Sequence, residues 1–238
     1  MYGNSVIRQF EKMGARARVI LTGLRFEIDV IADRRGDLFD LRVPRDGTVI
    51  MRVDDIERRE RQLLLAVRNP TQKWSQSFLC GHDERDWFIA ALPKKPEATN
   101  VKEAFEALKP RAVLVEQERK AISRRQRLRR HTSAYHRQGE WFFVPRPNLA
   151  VEPRRIRHND VLARERAAPH IVEWLYRPTG STALFARGSV SHPDHNEIHL
   201  DLWHQVFRNR EIEEIEQPLS NRMKPTPPPQ PWHLRFVD

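Results

Sequence analysis

Between Arg16 and Pro93 the chain is cut into short apolar runs with turn residues between them. Val19-Ile20-Leu21, Phe26–Ile31, Leu38–Val43, Thr48–Val53, Leu63–Val67 and Trp87–Leu92 are rich in β-branched or aromatic residues, and several alternate with polar ones. That alternation is the period of a half-buried strand. Arg35-Gly36-Asp37 and Asp46-Gly47 supply turn chemistry. Segments of this length predict a β-rich domain over residues 1–93.

The two prolines of Pro93-Lys94-Lys95-Pro96 suit neither a helix interior nor a central strand, so a connector follows. Asn100 and Glu103 then stand at capping-box spacing, with Val101, Ala104, Phe105 and Leu108 on one helical face before Pro110. A second helix is predicted over Glu116–Arg130, with Val115, Ile122 and Leu128 as a sparse stripe and basic residues elsewhere. Residues 94–130 thus read as a linker and basic helical segment. Strand character returns at Glu140–Val144, Ala183–Val190 and Glu197–Phe207, and the run Ile171–Tyr176 is left unassigned. The fold class is therefore α+β: a β-rich N-terminal domain, a central basic helical segment, a mixed C-terminal domain at 131–217, and a proline-rich tail at 218–238. His82…Asp86-Trp87-Phe88 is echoed by His136…Glu140-Trp141-Phe142, a pattern of two copies with unmatched flanks.

Charge is distributed unevenly. Lysine and arginine total 42, and only 8 are lysine. Between Arg119 and Arg187 there are 16 basic against 5 acidic residues, a balance of +11, while the whole chain carries +10. The remainder is about neutral, and charge spread by codon usage alone would not gather this way. Guanidinium is also the side chain that grips phosphate bidentately. A polyanion, nucleic acid, is the expected partner, with phosphate contacts from Arg119, Lys120, Arg124, Arg125, Arg127, Arg129, Arg130, Arg146, Arg154, Arg155, Arg157, Arg164 and Arg166. Tyr135 and Trp174 are the aromatics chosen for stacking on bases. No run approaches the roughly 18 apolar residues of a membrane span, and the N-terminus lacks a secretory pattern, so a cytoplasmic, membrane-free protein is expected. The single cysteine, Cys80, excludes an intrachain disulfide and a multi-cysteine metal site.

The densest chemical motif is Ser191-His192-Pro193-Asp194-His195, followed by Glu197, His199, Asp201 and His204. Imidazole and carboxylate ligate zinc, manganese and iron, so His192, Asp194 and His195 are the candidate ligands of a divalent metal. Two histidines beside a basic group can also cleave a phosphodiester, which makes His136, His192, Asp194 and His195 the candidate catalytic set. The rival to a nucleic-acid-binding subunit is thus a phosphodiester hydrolase. A third reading is an assembly protein whose tail ends in alternating Trp232, Leu234 and Phe236, an apolar anchor for a protein partner.

One further pattern, Glu27-Ile28-Asp29 before a Gly36 turn and Asp40-Leu41-Arg42 after it, resembles the strand-turn-strand signature of the PD-(D/E)xK nucleases. The resemblance implies carboxylates holding a metal and a lysine orienting water. It covers about 16 residues, and Arg42 stands where that family has lysine. No phosphate-binding Walker loop, dinucleotide glycine motif, nucleophile elbow or zinc-finger spacing is present.

Overall fold

The computed structural model describes residues 3–22, 25–163 and 168–212. It is a mixed, strand-rich fold with several sheets and few helices. Helix α1 (Gly3–Lys12) precedes β1 (Ala17–Leu21), β2 (Glu27–Asp33) and β3 (Gly36–Val43), which form a sheet in the order β1-β3-β2, with β1 parallel to β3. Strands β4 (Ile50–Glu57), β5 (Gln62–Asn69), β6 (Trp74–Asp83) and β7 (Asp86–Ala91) follow as an antiparallel meander in chain order. Val6 and Phe10 lie one helical turn apart on α1, and the Phe10 ring meets that of Phe39 at 4.7 Å.

The run Leu63-Leu64-Leu65 in β5 does not alternate because both faces of the meander are covered. Leu63 and Leu65 join Phe10, Phe26, Phe39, Leu41 and Phe78 in the core between the two sheets. Leu64 faces the other way, with Leu79, Ala90 and the apolar stripe of α2 (Val101–Leu108). The cap of α2 is Asn100, whose side chain accepts the Glu103 N–H at 3.0 Å.

The predicted helix Glu116–Arg130 is not continuous. Helix α3 (Arg111–Arg119) ends where Ala121 turns left-handed at φ +49° and Ile122 N–H returns to Gln117 O. A single turn, α4 (Arg124–Arg127), follows. Like charges crowd this stretch, and an unbroken helix would align them without acidic partners.

The rest forms one six-stranded antiparallel sheet. Strands β8 (His136–Gln138), β9 (Trp141–Pro145), β10 (Ile156–Leu162), β11 (His170–Tyr176), β12 (Leu184–His192) and β13 (His195–Arg208) are ordered β10-β11-β12-β13-β9-β8. In β9 the residues again bury both ways: Trp141 and Phe143 toward the sheet's main core, Phe142 and Val144 toward α3 and Tyr135. The unassigned run Ile171–Tyr176 lies within β11, in the interior of this sheet. The echoed segments are both hairpins, but their pairing differs by two residues, since His82 pairs with Trp87 whereas His136 pairs with Phe143.

The meander and the six-stranded sheet meet at their turns. Arg85 donates to Pro193 O at 2.7 Å, and Asn196 N–H donates to Glu84 Oε2 at 2.7 Å. Beyond β13, Arg210 N–H reaches Leu108 O and Ile212 N–H reaches Ala91 O. Among the described residues no helix is long and apolar enough to cross a membrane.

Candidate metal centre and arginine groove

Three strand ends bring three imidazoles together. His170 opens β11, His192 closes β12 and His195 opens β13, the last two facing each other across the Pro193-Asp194 turn. The rings stack with centroids 4.2 Å apart for His170 and His192, 4.8 Å for His192 and His195, and 5.6 Å for His170 and His195. One ligand nitrogen from each lies within 4.8 Å of the others. Gln138 holds the hairpin base by donating to Val190 O and Asn196 O. The turn residue Gly139, at φ +56°, leaves room beside the rings, since a Cβ there would stand 2.8 Å from His195 Nε2 and 3.4 Å from His170 Nε2.

The hydrogen bonding of the three rings differs. His170 is 2% exposed, and both its nitrogens are buried without a partner. His192 Nδ1 accepts from Asp194 N–H at 3.1 Å, and its Nε2 lies 3.0 Å from Ala168 O. His195 Nδ1 is buried 3.5 Å from Glu84 Oε2 without a formed hydrogen bond. Burial, reinforced by His192 and His195, pushes His170 down to about 3, and burial first and His192 next also lower His195. Both are neutral near pH 7, with lone pairs available.

These rings border a cavity of about 210 Å³ whose lining includes Asp86, Glu140 and Asp194 as well as Arg137. Burial and the neighbouring Asp194 raise the Asp86 carboxyl. An imidazole set beside several carboxylates offers the donor chemistry that a divalent cation takes.

The structure therefore keeps His192 and His195 together and adds His170, which no sequence spacing connects to them. Asp194 lines the same cavity, but its carboxylate lies 3.7 Å from His192 Nδ1 and it is outside the three-residue donor set. His136 is placed elsewhere, with its Nδ1 2.9 Å from that of His131 and its ring 5.3 Å from His204. His136 thus lines a different cavity from His192 and His195, and the third ring beside those two is His170. The carboxylates of the PD-(D/E)xK-like pattern are engaged otherwise: Asp40 is buried between Arg18, at 2.6 Å, and Arg42, at 2.9 Å. Cys80 is buried, with its thiol pushed up by burial, and is a core residue.

The basic residues divide into paired and unpaired. Arg119 pairs with Glu116 at 2.5 Å, Arg155 with Glu152, Arg157 with Asp160, and Arg130 with both Asp83 and Glu84. Lys120 donates to Ser133 O, Arg127 to Ile122 O, and Arg146 to Gln205 and Pro145 O. Arg124, Arg125, Arg129 and Arg154 are exposed. Arg164 and Arg166, like Trp232, Leu234 and Phe236, lie outside the described residues. Tyr135 is 1% exposed and its hydroxyl donates to Arg127 O, so it offers no face for a base. Trp174 is half-buried beneath the Arg187 guanidinium.

Arg125 and Arg129 line a groove of about 770 Å³ together with Arg59, Lys102, Arg130 and Arg137, against the acids Glu57, Glu60 and Asp83. The groove and the histidine cavity share Asp83, Phe105 and Arg137 as a common wall. Compared with known protein families, with curated proteins and with solved structures, the chain matches none.

Proposed function

We propose that this chain binds a phosphate-bearing polymer, nucleic acid, along the groove between the β4–β5 turn, α2 and α4. The observation that carries the reading is the set Arg59, Lys102, Arg125 and Arg129, four exposed cations that line one groove and make no salt bridge among the described residues. The groove's six cations outnumber its three carboxylates, and a polyanion relieves the remaining repulsion while releasing its own counterions. The same feature favours backbone contact over base reading, since arginines on a groove wall position phosphate, and among the described residues the aromatic rings lining the groove, His82 and Phe105, are half-buried. An acidic protein partner would meet the same charges, and the length dependence of oligonucleotide binding separates the two.

The test is fluorescence anisotropy with labelled single strands and duplexes at two salt concentrations. Four phosphate contacts give a salt slope of about −3, hence a loss of roughly 50-fold between 50 and 200 mM salt. Arg125→Glu with Arg129→Glu abolishes binding while the circular dichroism is unchanged. Equal affinity at both salts, or a double variant that binds as well as the parent, overturns the proposal.

A further inference from the structure

We infer that His170, His192 and His195 form a three-nitrogen site for zinc or a similar borderline divalent metal, placed to hydrolyse a phosphodiester lying in the adjoining groove. The metal site stands on its own geometry, and the hydrolytic role rests on the nucleic-acid reading above.

Buried imidazole nitrogens without partners are rare because each forfeits about 1–3 kcal/mol of hydrogen bonding. Here His170 contributes two such atoms and His195 one, all at the edge of a single cavity. Imidazole nitrogen suits zinc, copper, nickel and cobalt, whereas magnesium and calcium take oxygen sets. Three neutral ligands leave the ion doubly charged, and Asp86, Glu140 and Asp194 on the cavity wall supply the compensating charge.

The second nitrogens of two rings have carboxylates beside them. Glu84 Oε2 stands 3.5 Å from His195 Nδ1, and Asp194 Oδ2 stands 3.7 Å from His192 Nδ1. At His195 a metal taken through Nε2 puts the proton on Nδ1, where Glu84 accepts it and fixes the tautomer; at His192 the same proton displaces the Asp194 N–H from Nδ1 and turns to the Asp194 carboxylate. His192 then exchanges its contact with Ala168 O for the metal. Asp194 becomes a positioning residue rather than a ligand.

Three protein ligands leave a coordination position for water. The reaction is a displacement at phosphorus: a water oxygen forms the new P–O bond, the bond to one sugar oxygen breaks, and a water proton ends on that leaving oxygen. Asp86 or Glu140 is placed to take the proton from the attacking water, and Arg137, shared by both cavities, to meet the charge on the phosphoryl oxygens.

The experiment loads the full chain with zinc and, separately, with cobalt(II), removes the excess, and measures metal content and the visible spectrum. One equivalent is expected, with the intense d–d bands of a four-coordinate cobalt centre, weakened about 10- to 100-fold in apparent affinity by Asp194→Asn. His170→Phe, which keeps the buried volume filled, and His195→Gln should each abolish both signals. Absence of stoichiometric metal in the folded parent, or full retention in folded His170→Phe, overturns the site. Metal-loaded protein is then incubated with a quenched fluorescent oligonucleotide. Cleavage by the parent, and none by a His170→Phe variant that still binds the strand, supports the hydrolytic role. A metal-loaded parent that binds the strand and leaves it intact overturns that role alone. Loss of strand binding at normal metal content overturns the groove reading alone.

Discussion

Gly139 and His195 are complementary in shape: the ring edge of His195 occupies the space that any side chain at position 139 would need, with Nε2 2.8 Å from where its Cβ would stand. The backbone at Gly139 is also left-handed, at φ +56°, a conformation that only glycine adopts without strain. The turn between β8 and β9 thus sets how closely the imidazoles gather.

Gly139→Ala combines both penalties. Left-handed strain costs about 1 kcal/mol, and displacing His195 or the turn adds to it, so the expected loss of stability is about 2 kcal/mol. Urea unfolding monitored by tryptophan fluorescence measures it. A loss under about 0.5 kcal/mol shows that the histidines are not held against this turn.

Leu64 tests the double-sided meander. It is fully buried between β5 and the stripe of α2, on the face opposite Leu63 and Leu65. Leu64→Ala removes its transfer energy and leaves a cavity that two rigid layers cannot close, so a loss of about 3 kcal/mol is expected. The same substitution at Leu21, which is 62% exposed, changes stability by less than about 0.5 kcal/mol. Comparable values at the two positions would contradict the layering.

How much of this was legible in the chain depends on what kind of signal each part carries. The predicted strands at Leu38–Val43 and Leu63–Val67 fall within β3 and β5 because burial imposes an apolar pattern on neighbouring residues. Strand β6 lies outside the predicted runs: Ser75, Gln76 and Ser77 dilute its first half, and the meander buries it regardless. Helix α1 does carry a signal, Val6, Phe10 and Met13 at helical spacing, all buried. His170 carries none, being 22 positions before His192 and joined to it only by the pairing of β11 with β12. Likewise the count of arginines was plain, but which of them Glu116, Asp83 and Glu84 neutralise is a property of tertiary contact. Charge balance along the chain therefore counted cations that tertiary contacts neutralise and passed over Arg59 and Lys102, which lie outside the basic stretch and line the groove with Arg125 and Arg129.

His136 should make stability pH-dependent. Burial, with His131 and His204 nearby, lowers it to about 4 from the ordinary 6.5. The unfolded chain then binds the proton first, so stability is complete above about pH 6.5 and falls as the pH drops toward 4, by at most about 1.4 kcal/mol per pH unit for this group. His204, lowered first by burial, acts in the same direction. His136→Gln should flatten the decline between pH 6.5 and 4.5 in urea midpoints measured along a pH series. An unchanged slope would mean that His136 is solvated and free to protonate in the folded protein.

Asp40 acts at lower pH. Arg18, and then Arg42, hold its carboxyl below the ordinary 3.8 against the opposing effect of burial. Its contribution is present above the unfolded value and is lost as pH falls through the folded one, so it adds to unfolding below about pH 4. Asp40→Asn keeps the shape and removes the charge; it should cost about 1–3 kcal/mol at pH 7 and leave the acid limb of the stability curve shallower. Arg18 and Arg42 are each about half exposed, at 47% and 45%, so water takes over their solvation and keeps the loss at that modest level. A variant as stable as the parent at pH 7 would show the pairs to be surface contacts of no consequence.

Glu84 links the two halves of the cleft. It sits in the two-residue turn between β6 and β7 with φ +53°, accepts Asn196 N–H at 2.7 Å, lies 3.5 Å from His195 Nδ1, and pairs with Arg130 from the groove wall. Its side chain is 16% exposed, so these contacts are partly desolvated. Glu84→Gln can still accept the Asn196 amide but loses the charge that balances Arg130. Arg130→Gln alone leaves Glu84 without this partner beside Asp83, which keeps Arg137 at 3.4 Å. If the pair acts as a unit, the double variant is less destabilised than the sum of the singles by about 1–2 kcal/mol, whereas independent sites add to within about 0.5 kcal/mol. Urea unfolding of the four proteins gives that coupling, and amide exchange at Asn196 locates it: exchange that quickens in Glu84→Gln while Leu65 stays protected shows the two turns separating ahead of the core. Additive energies, or protection of Asn196 equal to the parent's, would show that the turns are held together by packing without this carboxylate.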